Sequence, residues 1–433
     1  MHGLLAGRFP RRARPGARAR SQMSARARRF CFALALVLLV APAAAPGESG
    51  PGPAAGRFTA IARGTATPPL AGSWRLLPAA PIAPDEGLAS VWTGKEMFVF
   101  GRVTKRAKDG AVLGRANVAE AYDPARGAWR RLPSAGPTTS FMSESAAWTG
   151  TELLVWGQGI REAFNPLTGR WRRLPGSPYL AVHDGFGLVV WTGRELIGWG
   201  GGCCGDAFSD GVAYSPTTNT WRNLARAPLA GSQHPTGAWT GRELIVFVGE
   251  LDPDGNPWPA GLARAAAYDP VTDRWRRIAP LPAPRYGAAA VWDGSEMLVV
   301  GGSGAPRANR PPAPARVGFA YDPATNHWRR LPRMESGRIG TVTVWTGKRL
   351  LVWGGSKTTG TGPPVIPPHG LAFDPTSNRW SSLPQAPLVG RLDSTAVWTG
   401  RALLVWGGQR PAIPLGTGTS FFADGAAFTP ASP

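Results

Sequence analysis

The chain has 433 residues, of which 43% are hydrophobic, and a formal net charge of +21. Nine of the basic residues are arginines within the first 29 positions, so the rest of the chain carries a net charge of +12. These remaining basic residues are spread along the whole chain and are not interleaved with exposed aromatic residues on one face, which argues against a nucleic-acid-binding surface.

The first 46 residues have the pattern of a basic segment followed by a secretory signal peptide. An apolar stretch of 16 residues, 30–45, follows the arginines and ends in small residues. It is shorter than the roughly 20 residues that a membrane-spanning helix needs. We therefore expect cleavage and export to the periplasm or the extracellular space, with an uncleaved membrane anchor as the alternative. Met23 would be a better start for such a signal, and residues 47–72 read as a linker.

Seven copies of one pattern occupy the rest of the chain, 73–433. In each copy an apolar segment ending in Trp is followed by a tight turn and by a second apolar segment, most often ending in Gly. Four short strand signals in a period of about 50 residues are typical of a β-propeller rather than of a helical solenoid. The first-strand tryptophans, 43 to 56 residues apart, are Trp92, Trp148, Trp191, Trp239, Trp292, Trp345 and Trp398.

The fifth copy shows the four strands most clearly. Residues 288–292 and 296–300 are two strands joined by an Asp-Gly-Ser turn, whose Gly can supply the positive φ of a tight hairpin. A Pro-rich loop leads to a third strand at 317–321, which ends at an Asp-Pro turn. The fourth strand is predicted at 328–331.

The fourth-strand Trp is one copy short. It recurs at Trp129, Trp171, Trp221, Trp275, Trp328 and Trp380. The chain ends just after the seventh third strand, whereas an additional Ser-Trp-Arg-Leu-Leu-Pro segment, 73–78, precedes the first copy. We predict that this N-terminal segment forms the outer strand of the last blade and closes the ring with ladder hydrogen bonds.

The pattern of a second strand ending in Gly-Gly, a later Tyr and a Trp about six residues beyond it resembles the kelch repeat over residues 73–430. The double glycines are Gly201-Gly202, Gly301-Gly302, Gly354-Gly355 and Gly407-Gly408; the other three copies have Gly101-Arg102, Gly157-Gln158 and Val248-Gly249. The resemblance implies an all-β, seven-bladed propeller of four-stranded antiparallel blades. It implies little about activity, because function on a shared fold depends on its loops.

Two cysteines remain after export, the adjacent pair Cys203 and Cys204. A bond between neighbouring cysteines closes a strained ring, and strained disulfides tend to be labile or functional. The alternative is two free thiols or an incidental bond in a surface loop. Adjacent cysteines do not have the spacing of a zinc site, and we predict no metal.

A binding site is expected on the upper face, defined here as the face where each first strand begins and where the loops between second and third strands lie. The residue seven positions before the first-strand Trp is Arg in three consecutive blades, Arg285, Arg338 and Arg391. The candidate ligand-binding residues comprise these arginines and their neighbours at the channel mouth, His183, His234, Tyr286, Glu144 and Asp184.

Two interpretations of the three arginines stay open. Arg is common at this position of kelch repeats, where it can bond loop carbonyls of a neighbouring blade. The functional alternative is an anion clamp, because convergent guanidinium groups suit carboxylate or phosphate. Such a clamp would suit an acidic sugar, as in the kelch-like sialic acid mutarotases. The copper site of galactose oxidase, another enzyme on this fold, cannot be placed in the sequence.

We therefore expect an exported, monomeric scaffold that binds a protein or glycan partner through its upper-face loops. No nucleophile, metal set or acid–base pair stands out from the repeat background, so no catalytic residue and no cofactor are predicted. The alternative function is an enzyme that acts on an acidic sugar. Contact with a membrane would occur only through an uncleaved N-terminal segment.

Overall fold

The computed structural model describes residues 68–431, except for 83, 85, 108–111, 135–144, 158–159, 179–186, 203–206, 250–263, 284, 305–312, 359–363 and 412–418. Within these residues the secondary structure consists of 30 strands, numbered β1 to β30 in chain order. They form seven four-stranded antiparallel sheets and one two-stranded ribbon. The prediction of a seven-bladed, all-β propeller is confirmed.

The blades follow one another along the chain. Blade one is β2–β5, Glu86–Trp92, Met97–Arg106, Val112–Asp123 and Ala128–Arg131; blade two is β6–β9, Ser145–Trp148, Leu153–Gly157, Ile160–Asn165 and Arg170–Arg173. Blade three is β10–β13, Leu188–Trp191, Leu196–Trp199, Gly211–Ser215 and Thr220–Asn223; blade four is β14–β17, Thr236–Trp239, Leu244–Phe247, Ala265–Asp269 and Arg274–Arg277. Blade five is β18–β21, Tyr286–Trp292, Met297–Ser303, Val317–Asp322 and His327–Arg333; blade six is β22–β25, Ile339–Trp345, Leu350–Ser356, His369–Asp374 and Arg379–Gln385.

Blade seven combines both ends of the described chain. Its strands, from outside to inside, are β1 (Gly72–Leu76), β30 (Gly425–Pro430), β27 (Leu403–Trp406) and β26 (Thr395–Trp398). β1 pairs with β30 in antiparallel register over five residue pairs, so the predicted ring closure is confirmed. A separate ribbon, β28 (Gln409–Pro411) and β29 (Thr419–Phe421), extends the loop between β27 and β30.

The strands of blade five are longer than predicted. The pairing of β18 with β19 continues to Tyr286 and Ser303, beyond the apolar runs that signalled the two strands. The extension lies at the upper face and includes the Gly301-Gly302 pair, both with positive φ. Glycine permits this backbone conformation at low steric cost, so hydropathy alone ends the strands too early.

The fourth-strand tryptophans join neighbouring blades. In all seven blades the indole Nε1 donates a hydrogen bond of 2.6 to 3.0 Å to a backbone carbonyl in the segment at the end of the preceding outer strand. In all seven blades the ring also packs 4.9 to 5.2 Å from the third-strand aromatic of its own blade. One residue type therefore serves both the packing within a blade and the contact between blades.

The lower face, opposite the upper one, has a regular set of ion pairs. In blades one to five the Arg that follows the fourth-strand Trp donates from Nε and Nη2 to the two carboxylate oxygens of a Glu in the first hairpin turn. The pairs are Arg130–Glu96, Arg172–Glu152, Arg222–Glu195, Arg276–Glu243 and Arg329–Glu296. These arginines therefore pair bidentately with carboxylates of their own blades.

Some of these arginines also reach the next blade. Arg172 Nη1 donates to Tyr214 Oη and to Asn219 Oδ1, each at 3.0 Å, and Arg222 Nη1 donates to Tyr268 Oη at 3.0 Å. Arg329 Nη1 likewise donates to Asn378 Oδ1 at 3.5 Å, so bonds of this kind cross the boundaries between blades two and three, three and four, and five and six. A signal for this network was present in the sequence, because the Glu recurs four residues after the first-strand Trp in five copies.

One buried carboxyl lies near the ring closure. Glu120 on β4 is only 1% exposed, and burial raises its pKa to about 7, against the lowering effect of the Ile82 backbone N–H and the charge of Arg131. Ile82 and Pro81, whose carbonyl accepts a bond from Arg131, belong to the segment that joins β1 to blade one. The titratable Glu120 carboxyl thus lies near the segment that joins β1 to blade one.

The described residues contain no helix long and apolar enough to cross a membrane. The predicted signal segment, 1–46, and the start of the linker lie outside the described residues. Export therefore stays a prediction from the sequence.

Candidate functional site

Several predicted site residues fall outside the described part of the chain. These are Glu144, His183, Asp184, Cys203 and Cys204. The residues that the structure does describe at the upper face are Arg285, Arg338, Arg391, His234 and Tyr286.

The three arginines occupy equivalent places at the entry to the first strand of blades five, six and seven. Each is buried, with 5%, 1% and 1% of Arg285, Arg338 and Arg391 exposed. Each Nη1 donates, at 3.2 Å, to the carbonyl of the first Gly of the double-glycine pair. Each guanidinium also donates to the carbonyl of the residue at the start of the third-strand region, which is Val317, His369 or Asp424.

These contacts tie the beginning of the first strand to the second and third strands. The acceptors belong to the same blade as the arginine, whereas the structural interpretation of the sequence placed them in the neighbouring blade. The three guanidinium groups therefore bond backbone carbonyls within three separate blades.

The surroundings of the three arginines differ. The guanidinium of Arg285 lies 4.9 Å from the Phe319 ring, and that of Arg391 lies 4.0 Å from the Phe422 ring. Arg391 also pairs with the Asp424 carboxylate, at 2.5 Å from Nη1 to Oδ1. Arg338 shows no such ring or carboxylate contact among the described residues. Burial lowers the pKa of Arg285 and of Arg338 to about 10.

The residue two positions after each of these arginines has a positive φ. Gly287 and Gly340 have φ of 60° and 66°, and Asp393 adopts the same conformation with φ of 51°. Asp tolerates this region better than most residues but still at some cost. Its carboxylate accepts a 2.7 Å hydrogen bond from Gln409 Nε2. His234 is at the matching position of blade four.

Both Asp393 and His234 have exposed side chains beside the entry to a first strand. Partial loss of hydration disfavours their charged forms, so the pKa of Asp393 is raised and that of His234 is lowered. Asp393 in blade seven and His234 in blade four are a carboxyl and an imidazole, the residue types that general acid–base chemistry uses.

Tyr286 is half-buried at the boundary between blades four and five. It lies so close to Gly249 that a methyl group at that glycine would come within 2.7 Å of the Tyr286 ring. The ring is therefore packed against the end of the second strand region of blade four. The described residues contain no group of three His, Cys, Asp or Glu side chains that could hold a metal ion.

Two β-ribbons project from the upper face of neighbouring blades. In blade one, β3 and β4 pair for ten residue positions, to Arg106 and Val112, whereas the equivalent pairing in blades three and four covers four. In blade seven the β28–β29 ribbon has the corresponding position. The ribbons present Leu113, 71% exposed, and Phe421, 41% exposed, near the boundary where the ring closes. The sequence analysis did not single out these apolar side chains.

The fold and the repeated contacts define a seven-bladed β-propeller with a variable upper face. A family model described as the Kelch motif matches residues 284–335, the greater part of blade five. The resemblance to the kelch repeat that the sequence suggested is thus confirmed.

Among curated proteins, alpha-scruin of Limulus polyphemus is 28% identical over 140 residues, which is 32% of this chain and 15% of alpha-scruin. The N-acetylneuraminate epimerase of Haemophilus influenzae is 25% identical over 243 residues, or 51% of this chain and 57% of that enzyme. The matches thus span less than two thirds of these relatives. A solved structure of a fungal alcohol oxidase in complex with copper has the same fold, with a TM-score of 0.62, 15% identity and coverage of 83% of this chain and 76% of the oxidase chain.

Proposed function

We propose that this protein is an exported binding scaffold whose upper face holds a protein partner between the ribbons of blades one and seven. The observation that carries the proposal is the pair of apolar side chains, Leu113 and Phe421, that these adjacent ribbons expose. Kelch propellers generally bind proteins, which supports a protein as the partner. Exposed apolar residues on neighbouring elements are a feature of interaction surfaces.

The lower face offers a weaker case. Its exposed apolar residues, Leu167 and Val271, are 90% and 86% exposed, but they stand singly at turns of blades two and four. Single exposed apolar residues are common on soluble proteins. The repeated lower-face contacts join strands and blades, which gives them a structural use without any partner.

The charge near the ribbons defines the chemistry of the partner further. Lys105 on β3 and Arg410 on β28 are both exposed. A partner segment with apolar side chains and flanking carboxylates would complement this surface, because the apolar contacts supply affinity and opposite charges at the rim speed association.

The proposal can be tested by placing a photo-crosslinking amino acid at position 113 or 421 of the full chain in its native cells. Matched variants carry the same amino acid at 167 or 271 on the lower face. We expect discrete crosslinked protein bands from the two upper positions only. Equal crosslinking from both faces, or crosslinks to many proteins without a preferred one, would contradict an upper-face partner.

The acidic-sugar enzyme is the second candidate, because Asp393 and His234 bring a carboxyl and an imidazole to the channel mouth. Thermal unfolding with acidic and neutral sugars separates the two candidates. Under the scaffold proposal neither kind of sugar changes the melting temperature. Stabilisation by acidic sugars alone, with turnover that is lost in Asp393→Asn, would favour the enzyme.

Export rests on the basic and apolar segment within residues 1–46. Mass spectrometry of the N-terminus of the protein from the native cell envelope and medium tests it. A new N-terminus near residue 47 would support cleavage and export, whereas an intact N-terminus in the cytosolic fraction would contradict both.

A further inference from the structure

The lower face is built from two sets of turns of constant length. In blade three Leu196 pairs with Trp191 across the first hairpin turn and with Tyr214 of the third strand. Tyr214 also pairs with Trp221, so this turn and the turn between the third and fourth strands lie at the same end of the blade. The first kind of turn has four residues in every blade, and the second has four in blades one to six. Turns of one length reach a similar height, so the lower face presents their tips together.

The third residue of the first hairpin turn, here called the tip residue, is basic in five blades. Its side chain is exposed in each of them. Only its backbone N–H bonds within the turn, to the hydroxyl of the Thr two residues earlier. The first strands contact one another all around the ring, so the tip residues surround the lower end of the channel. The basic tip residues are Lys95, Arg194, Arg242, Lys348 and Arg401.

The carboxylates of the lower face are engaged by other groups. In five blades the Glu that follows the tip residue is held by the fourth-strand Arg. Asp293 and Asp322 of blade five accept hydrogen bonds from N–H groups of their own turns. The aspartates that contact an arginine form the pairs Asp123–Arg126, Asp273–Arg222 and Asp374–Arg349.

The five basic tip residues have no comparable partner. None of them forms an ion pair with a described residue, and Arg242 acts on Asp269 only through its charge. Their charges therefore face solvent on one side of the ring, where an anionic surface could approach all of them together.

Two apolar side chains lie on the same face, at turns between third and fourth strands. Leu167 and Val271, 90% and 86% exposed, are the two most exposed large apolar residues of the described chain. Each follows the Pro of its turn, and the corresponding residue is uncharged in the other five blades. A protein partner favours apolar residues that form one patch, whereas these two lie on separate blades. A planar surface contacts separate turn tips at once.

We propose that the lower face docks onto a membrane surface that contains anionic phospholipids. The basic tip residues lie among the headgroups, and Leu167 and Val271 enter the boundary with the acyl chains. Surface binding of this kind gains from electrostatic attraction to anionic lipids and from the apolar area that is buried. The contact differs from the N-terminal segment, the only membrane contact that the sequence indicated. It leaves the upper face directed away from the membrane and does not depend on the partner proposed there.

Flotation of the full chain with vesicles tests the proposal. We expect binding to vesicles of equal parts phosphatidylglycerol and phosphatidylcholine, weaker binding as salt screens the charges, and little binding to phosphatidylcholine alone. Replacing Arg194, Arg242 and Arg401 together by Gln should weaken binding about 100-fold, since each basic residue near an anionic surface strengthens binding about fivefold. All three side chains are exposed, so the variant should keep the melting temperature of the wild type.

A matched triple variant separates a docking face from attraction by net charge. Replacing Arg173, Arg277 and Arg330 by Gln removes the same charge from exposed fourth-strand positions outside the turns, and binding should be retained. Equal weakening in the two triple variants would overturn the proposal. So would a failure to bind vesicles combined with binding of soluble polyglutamate that the tip variant loses, because the ligand would then be an acidic protein.

A direct measurement gives the orientation whatever the N-terminal segment contributes to binding. A fluorescent amino acid at position 271 of the full chain should be quenched by phospholipids brominated on their acyl chains. The same amino acid at position 113 on the upper face is the control and should not be quenched. Quenching at 113 and not at 271, or at neither position in vesicle-bound protein, would refute docking through the lower face.

Discussion

The two faces of this propeller differ in regularity. On the lower face, five blades repeat the same bidentate Arg–Glu pair, and Arg172 and Arg222 continue into the next blade. On the upper face, equivalent positions differ: Gly287 and Gly340 correspond to Asp393, and His369 corresponds to Asp424. Regular contacts repeated around the ring indicate a structural role, and variation at equivalent positions indicates where a specific role can reside.

The largest effect is expected from removing the strand that closes the ring. Deleting residues 73–78 eliminates most of β1 and its pairing with β30, the Trp74 indole bond to the Pro384 carbonyl at 2.9 Å, and the packing of Trp74 on Phe428. The loss should exceed the roughly 3–5 kcal/mol that truncation of a core Trp costs. Denaturant unfolding measures it. A chain that lacks only residues 1–67 is the control and should keep its stability, and an unchanged midpoint in the 73–78 deletion would refute the structural role of β1.

Next in size is the pH dependence of Glu120. Its folded-state pKa of about 7 exceeds the usual value of 4.5, so folding favours the protonated carboxyl, and stability falls as pH rises between these two values. Glu120→Gln removes this effect and should be more stable than the wild type at pH 8 by about 1–3 kcal/mol, but not at pH 4. Urea unfolding at both pH values measures the difference. Equal stability gains at the two pH values would show that charge is not the cause.

A smaller effect distinguishes paired from unpaired arginines on the lower face. Arg172 is bonded to Glu152, Tyr214 and Asn219, whereas its neighbour Arg173 is 86% exposed and lies 3.7 Å from Glu162. Arg172→Met should cost about 1–2 kcal/mol and Arg173→Met less than about 0.5 kcal/mol. Chemical denaturation of the two variants is a matched comparison. Equal losses would mean that the inter-blade bonds of Arg172 do not contribute.

The smallest stability effect is expected at the channel mouth. Asp393→Gly removes the steric cost of a positive φ but also removes the hydrogen bond from Gln409. The net change in the free energy of unfolding should therefore stay within about 1 kcal/mol. Gly287→Asp, the reciprocal change in blade five, should cost about 1 kcal/mol, since an added Cβ there meets no atom within 4 Å. Thermal unfolding checks both variants. A large loss in Asp393→Gly would give Asp393 a structural role and weaken its candidacy as a functional group.

The residues that repeat were the ones that could be predicted. Trp92 and its six counterparts located the first strands, and the Ser-Trp-Arg-Leu-Leu-Pro segment around Trp74 predicted the closing strand that β1 forms. The sequence also singled out the Arg285 series, but the acceptors of its hydrogen bonds were not predictable. The acceptors are backbone carbonyls at Gly301 and Val317, and a carbonyl group is present in every residue, so the sequence contains no mark of which ones will bind.

The candidate site depends on which blades are neighbours and on where side chains point, and the sequence alone states neither. Leu113 and Phe421 are more than 300 positions apart, and ring closure alone makes their blades neighbours. Whether a guanidinium points into a blade or into the channel depends on the backbone around it.

The sequence by itself determined the class of fold, the number of blades and the strand that closes the ring, because a local hydrophobic pattern repeated seven times permits few other ways of burying its strands. Only the tertiary structure decided which charges are paired, which are buried and which side chains remain exposed. Arg391 and Asp424, for example, form an ion pair only because the folding of blade seven brings them together. The strength of such a pair also depends on how far the folded blade excludes water from it.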